Sequence, residues 1–226
     1  MKQESLKIGQ TPAIIYGEAS AHAWLFVHGM GGNKTEAEPF AALTGAQVLA
    51  IDLPGHGERK DMAGFNPWTA APELRTVMGY MRARWSAVSL RANSIGAYFS
   101  MLALSEQGLQ KALFVSPIVK MERLILDMMG WAGVTEAQLR EAGEIATDFG
   151  QTLSWQYLSW VREHPLNWHT PTAILYAGHD NLTSRDTVTA FANAHQASLS
   201  VYEPGEHWFH TPDQLDAMTR WEKSEI

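Results

Sequence analysis

The sequence predicts an α/β fold: a mostly parallel sheet covered by helices on both faces, with a small helical cap. Short apolar runs alternate with amphipathic patterns along the chain, which is typical of such a sheet. Several runs are continuously apolar, such as residues 24–27 and 112–115, and strands of that kind are buried on both faces. The length of 226 residues suits a single domain spanning the chain.

Seven strands and four helices are predicted from these patterns. The helix patterns begin with proline or carry apolar residues at helical spacing, and the second of them is apolar on most sides, which predicts a buried helix. The predicted strands are Ala13–Tyr16, Ala23–Val27, Gln47–Ile51, Ala87–Ala92, Ala112–Val115, Thr172–Ala177 and Ser198–Tyr202, and the predicted helices are Pro72–Trp85, Ile95–Glu106, Thr183–Ala194 and Pro212–Trp221.

Residues 120–168 interrupt the alternation, because they are far longer than an ordinary crossover between strands. Their patterns predict two or three helices rich in Met and Trp. We interpret this segment as a helical cap inserted over the strand ends; the alternative is an ordinary peripheral layer of helices. As a cap it would contribute to an apolar pocket with the loops that carry Met30 and His207, because Met and Trp suit apolar groups.

The composition excludes several classes of function. A formal net charge of −7 and a pI near 5.7 disfavour nucleic acid as a partner. The absence of cysteine excludes disulfides, thiolate catalysis and cysteine-ligated metals. The N-terminus has no apolar signal-peptide core and is typical of a strand, and no segment approaches the length of a membrane span. We therefore expect a cytoplasmic protein.

A serine stands where a predicted strand turns sharply into a predicted helix. The segment 92–96 reads Ala-Asn-Ser-Ile-Gly, with Ser94 at its centre. Such a turn holds a serine in a strained conformation with its hydroxyl exposed, and small neighbours let strand and helix approach. The usual pattern is G-x-S-x-G, so alanine replaces the first glycine here. The alternative role for Ser94 is a helix N-cap.

Two further loops follow earlier strands. Residues 28–33 read HGMGGN and residues 52–57 read DLPGHG. With the serine turn after them, these motifs in this order resemble the α/β-hydrolase family over nearly the whole chain, residues 120–168 excepted. The resemblance implies that the backbone N–H groups of Met30 and Ile95 form the oxyanion hole. We expect His28 and His56 to brace their loops, and Asp52 to order its turn.

The resemblance also implies that Ser94 is the nucleophile of a catalytic triad, and it indicates where the acid and the base of that triad lie. Asp180 follows a late strand, where ligand sites of parallel sheets lie, although aspartate also forms turns and caps helices. His207 follows the last strand and completes the order Ser94, Asp180, His207 typical of this fold. His210, three residues further on, is the rival base, but the loop position directly after residues 205–206 favours His207. The loop at 116–119 contains no rival acid.

These residues together predict a serine hydrolase that cleaves a carboxylic ester of a small apolar substrate through an acyl-enzyme. No metal ion or cofactor is needed, and the histidines show no metal-ligand spacing. The same triad of Ser94, Asp180 and His207 would also serve a thioesterase, a peptidase or a carbon–carbon bond hydrolase. A non-catalytic binding module is the remaining alternative, but such proteins often lose triad members and this chain keeps all three.

Overall fold

A computed structural model describes all residues 1–226. The strands are β1 Gln3–Ile8, β2 Thr11–Tyr16, β3 His22–Val27, β4 Gln47–Ile51, β5 Ala87–Asn93, β6 Ala112–Val115, β7 Glu144–Ala146, β8 Thr152–Ser154, β9 Thr172–His179 and β10 Ser198–Glu206. Eight of them form one sheet in the order β1-β2-β4-β3-β5-β6-β9-β10, in which the pairings β1–β2 and β2–β4 are antiparallel and the others parallel. The prediction of a mostly parallel sheet is therefore confirmed.

Eight α-helices accompany the strands, and short 3-10 turns lie at Lys34–Glu36 and Gly57–Arg59. No helix is long and apolar enough to cross a membrane. The helices are α1 Ala37–Leu43, α2 Pro67–Arg82, α3 Ser94–Leu104, α4 Met121–Trp131, α5 Glu136–Ala142, α6 Trp155–Glu163, α7 Arg185–His195 and α8 Pro212–Glu225.

The N-terminal region contains two strands, β1 and β2, whereas only one was predicted there. The chain forms a hairpin, in which β1 pairs antiparallel with β2. Gly9 in the connecting turn has a φ of 60°, a left-handed conformation that favours glycine. Strand β1 was missed because its residues are mostly polar and exposed, as expected for the edge of a sheet.

Helix α2 begins five residues before the predicted start at Pro72. Asn66 caps it, because its side chain accepts a hydrogen bond from the Thr69 N–H, and Pro67 occupies the first turn. Pro72 therefore lies inside the helix. The prediction chose the wrong proline as the start, since either one fits a first turn from sequence alone.

The chain divides into two compact units, one of residues Met1–Val119 and Asn167–Ile226 and the other of Lys120–Leu166. The smaller unit contains three helices, where two or three were predicted, and also the antiparallel pair β7–β8, which the prediction missed. In this unit the Arg162 guanidinium on α6 binds the carboxylates of Glu122 and Glu136 at 2.7 Å. Trp168, predicted within the cap segment, belongs instead to the larger unit.

The larger unit buries the central strands almost completely. Strands β3, β4, β5 and β6 consist mainly of side chains without solvent contact, as their apolar runs predicted. Trp168 extends this core, since its ring packs 5.7 Å from that of Phe114 and its Nε1–H donates to Thr172 Oγ1 at 2.8 Å. A rigid, buried sheet therefore supports the loops at its carboxyl edge.

Gly178, near the end of β9, has no room for a side chain. A Cβ at this position would lie 2.4 Å from the carbonyl oxygen of Glu203 on β10, whereas a Cβ at Gly79 in α2 would meet nothing within 4 Å. We predict that G178A lowers the free energy of unfolding by about 1–3 kcal/mol. G79A should raise it by up to about 1 kcal/mol, because alanine favours helix. Urea denaturation of both variants measures this; equal effects would contradict the close β9–β10 approach.

Candidate active site

Ser94 lies at the turn from β5 into α3 in a strained backbone conformation. Its φ is 48°, a left-handed value that non-glycine residues seldom adopt. The helix lies so close to β3 that a Cβ on Gly96 would be 2.2 Å from the His28 carbonyl oxygen. The Ser94 carbonyl accepts a hydrogen bond from the Ile118 N–H at 3.2 Å, which anchors the turn to the segment after β6. The sharp turn expected from residues 92–96 is present.

Ser94, His207 and Asp180 are hydrogen-bonded in series. Ser94 Oγ lies 2.8 Å from His207 Nε2, and His207 Nδ1 lies 2.8 Å from Asp180 Oδ2. The carboxylate can only accept, so Nδ1 carries the proton and Nε2 accepts from the serine hydroxyl. The other oxygen of Asp180 accepts the N–H groups of Leu182 and Thr183 at 2.8 and 2.9 Å. Its side chain is fully buried, and these bonds fix its orientation.

The loop after β3 lies directly against Ser94. A Cβ on Gly29 would be 3.2 Å from Ser94 Cβ, so the following residue, Met30, begins beside Ser94. Ile95 is the second residue of α3, where backbone N–H groups have no acceptor within the helix. The structure thus places both residues expected to donate to an oxyanion next to Ser94.

His28 is completely buried and links two loops, as predicted for a bracing residue. Its Nδ1 lies 2.6 Å from the Gly29 carbonyl oxygen, and its Nε2 accepts the Leu53 N–H at 3.0 Å. The two contacts require a neutral ring with the proton on Nδ1. Burial lowers the pKa of His28 to about 4.

His56 braces the loop of residues 28–33 from the other side, in agreement with its expected structural role. Its Nε2 accepts the Gly31 N–H at 2.9 Å, while its Nδ1 lies 2.9 Å from the Pro54 carbonyl oxygen. The Nδ1–H donates, so this ring is also held as a single tautomer. Gly31 adopts a φ of 76°, and the histidine thereby fixes a turn that begins one residue after Met30.

Asp52 orders its turn, as predicted. Its carboxylate accepts the backbone N–H of Lys34 at 2.9 Å and that of Glu58 at 3.0 Å, and it pairs with the Lys34 ammonium group. Burial by itself would raise the pKa of Asp52, but the hydrogen bonds from Lys34 and Glu58 outweigh it and lower the pKa. Gly57 is required beside it, because a Cβ there would lie 2.3 Å from the carboxylate carbon.

The rival base occupies a different position. His210 Nδ1 lies 2.7 Å from the Trp208 carbonyl oxygen, and its ring stacks on that of Trp208. Its side chain is exposed, with Glu206 Oε2 3.6 Å from Nδ1. Ser94 Oγ is instead hydrogen-bonded to His207, whose Nε2 accepts from the serine hydroxyl.

One buried charge beside the site was missed by the sequence interpretation. Arg91 on β5 has a side chain that is 1% exposed and forms an ion pair at 2.7 Å with Glu222 on α8, itself 3% exposed. Arginine is unusual within a strand buried on both faces, so its place in the run Leu90-Arg91-Ala92 was a usable signal.

Comparison with known proteins identifies the class. The profile of the Alpha/beta hydrolase family matches residues 24–221, which is most of the chain. The protein therefore belongs to the α/β-hydrolase family, as its loop motifs indicated. No curated protein sequence matches it significantly.

Solved structures share the fold at low identity. Est1E from Butyrivibrio proteoclasticus with bound ferulic acid has a TM-score of 0.76 and 15% identity, covering 98% of this chain and 97% of that one. The mouse alpha/beta hydrolase domain-containing protein 10 has a TM-score of 0.74 and 13% identity, covering 100% and 98%. A proline iminopeptidase-related protein from Thermus thermophilus has a TM-score of 0.70 and 18% identity, covering 99% and 98%.

The buried, neutral His28 predicts a pH-dependent loss of stability. Its pKa is about 4 when folded, against 6.5 for an ordinary histidine, so the unfolded chain takes up the proton first as the pH falls. Stability should decrease between about pH 6.5 and 4, by up to about 1.4 kcal/mol per pH unit from this group. Urea denaturation over this range measures it. The H28N variant should show a smaller slope; identical slopes would show that His28 does not contribute.

Proposed function

We propose that the protein is a serine hydrolase that cleaves a carboxylic ester of a small apolar substrate through an acyl-enzyme. In this proposal Ser94 is the nucleophile, His207 the general base and Asp180 the residue that orients the base. The backbone N–H groups of Met30 and Ile95 stabilise the oxyanion.

The observation that carries the proposal is the serial hydrogen bonding of a strained serine to a histidine and of that histidine to a buried aspartate. Both distances are 2.8 Å, within the range at which a base takes a proton from a hydroxyl group. A serine that merely capped a helix would not need a histidine of fixed tautomer at its hydroxyl group. The three residues come from loops after three different strands, so the sheet holds them together.

The geometry supports a two-stage reaction. Ser94 Oγ attacks the carbonyl carbon of the ester while His207 Nε2 takes its proton. The same Nε2 then returns that proton to the alkoxy leaving group as the carbon–oxygen bond breaks, which leaves the acyl group on Ser94. Water next attacks the acyl carbon, His207 takes a proton from it, and protonation of Ser94 Oγ releases the carboxylic acid. Asp180 stabilises the imidazolium in both stages.

The oxyanion hole follows from the positions of two backbone segments. The negative charge develops on the carbonyl oxygen while Ser94 Oγ bonds to the carbon. Met30 lies in the loop against Ser94, and Ile95 follows Ser94 at the start of α3, where the helix dipole also favours negative charge. One such donor is typically worth about 3 kcal/mol of the barrier.

Two exposed apolar side chains adjoin the site and support an apolar substrate. Met30 is 52% exposed and Trp208 is 73% exposed. Met30 follows the glycine packed against Ser94, and Trp208 follows the proposed base. We propose that these two side chains contribute to one apolar surface that receives the acyl group, since contiguous apolar patches mark ligand-binding sites. The bound ferulic acid of Est1E, an aromatic carboxylic acid, is consistent with an acyl product of this kind.

We predict that the protein hydrolyses nitrophenyl esters of small and medium acyl chains and disfavours charged acyl groups. S94A and H207A should each abolish this activity, by up to about six decades, because nucleophile and base act as one unit. H210A is the matched control and should keep most activity, since its ring faces Trp208 rather than Ser94. Initial rates across the acyl series, measured for each purified variant, provide the test.

Particular outcomes would contradict this assignment. Turnover retained in S94A would remove Ser94 as the nucleophile. A larger loss in H210A than in H207A would transfer the base to His210. Hydrolysis of thioesters or peptides, with no ester hydrolysed, would keep the triad and change the bond that is cleaved.

A further inference from the structure

Arg91 makes an unusual set of contacts behind the serine turn. Its Nε donates to Glu222 Oε1 at 2.7 Å, and its Nη1 donates to Asn93 Oδ1 at 2.5 Å and to the Ala92 carbonyl at 3.1 Å. The guanidinium also lies 5.6 Å from the centre of the Phe26 ring. One buried cation therefore joins helix α8 to the two residues that precede Ser94.

Stability alone is a weak reason for this ion pair. Charges lose their hydration when they are buried, and replacing a buried pair by apolar residues of similar volume is often neutral or stabilising. Arg91 and Glu222 are both almost free of solvent. The contacts to Asn93 and to the Ala92 carbonyl are ones that a methionine or leucine would not make, and of these only the contact to Asn93 involves a side chain next to Ser94.

Asn93 is in the N-cap position of helix α3 but does not cap it. An asparagine there normally accepts a hydrogen bond from the second or third backbone N–H of the helix. In α3 these are the N–H groups of Ile95 and Gly96, yet the side chain of Asn93 makes no capping bond. Arg91 presents only donors, so it fixes the carboxamide with its oxygen directed at the guanidinium.

We infer that Arg91 is a positioning residue that acts through Asn93: by retaining the carboxamide oxygen of Asn93, it keeps the Ile95 N–H available to the oxyanion. Without Arg91, Asn93 Oδ1 would be released to accept a hydrogen bond from the start of α3 and would compete with the substrate for that donor. This inference rests on the proposed function, in which the Ile95 N–H binds the developing negative charge.

The test removes both members of the ion pair together. R91M alone would leave Glu222 charged and unpaired in the interior, which is strongly destabilising. R91M/E222M retains apolar volume, and R91L/E222L replaces it if the first variant does not fold. Urea denaturation establishes that the variant is folded, and kcat and KM are then measured with the nitrophenyl ester that wild type hydrolyses best.

We expect R91M/E222M to lower kcat by at least about 10-fold and at most by the roughly 100- to 1000-fold that loss of one oxyanion donor costs. KM should change little, because the lost interaction belongs to the transition state. The effect of R91M/E222M is also measured in the N93A variant, in which there is no carboxamide for the loss of Arg91 to release. Adding R91M/E222M to N93A should cost little further kcat.

The outcomes separate this inference from the function on which it rests. The same fold loss of kcat in both backgrounds, or wild-type kcat in folded R91M/E222M, would overturn the role of Arg91. A loss confined to KM would also overturn it. If the wild-type protein hydrolyses no ester, and so does not differ from S94A, the proposed function itself is contradicted, independently of the role of Arg91.

Discussion

The close approach of backbone segments around Ser94 is the constraint on which the rest of the site depends. Helix α3 leaves no space for a Cβ at Gly96, which would be 2.2 Å from a carbonyl oxygen of the loop after β3. A serine at this turn is held at a φ of 48°, and buried parallel strands supply the rigidity that sustains the strain. The orientation of the hydroxyl group towards His207 follows from this packing.

Buried and half-buried polar side chains complete the constraint by satisfying the backbone groups of the loops. His28 and His56 each accept one backbone N–H and donate to one carbonyl oxygen, and Asp52 accepts two backbone N–H groups. A loop at the carboxyl edge of a sheet would otherwise leave such groups without partners. The side chains therefore hold the glycine-rich loop in one conformation, and in the proposed reaction such a preorganised loop would not need to rearrange when charge develops.

The sequence predicted the sheet and the positions of Ser94, Asp180 and His207 because strongly apolar strands and short motifs are local signals. It missed the edge strand β1 and the small pair β7–β8, whose residues are polar or partly exposed and lack a buried pattern. It also missed the ion pair of Arg91 with Glu222, because the two residues are 131 positions apart and only the fold brings them together. The sequence predicted that His28 and His56 brace their loops, whereas their tautomers could be assigned only from the hydrogen bonds of the folded chain.

Covalent labelling of the nucleophile tests the central claim most directly. A fluorophosphonate reacts with a serine only where a base removes its proton and the oxyanion hole receives the phosphoryl oxygen. Intact-mass analysis followed by peptide mapping should show one adduct per chain, located at Ser94, and none in S94A. Failure of the folded protein to react, or an adduct on another serine that persists in S94A, would contradict the account of Ser94 as an activated nucleophile.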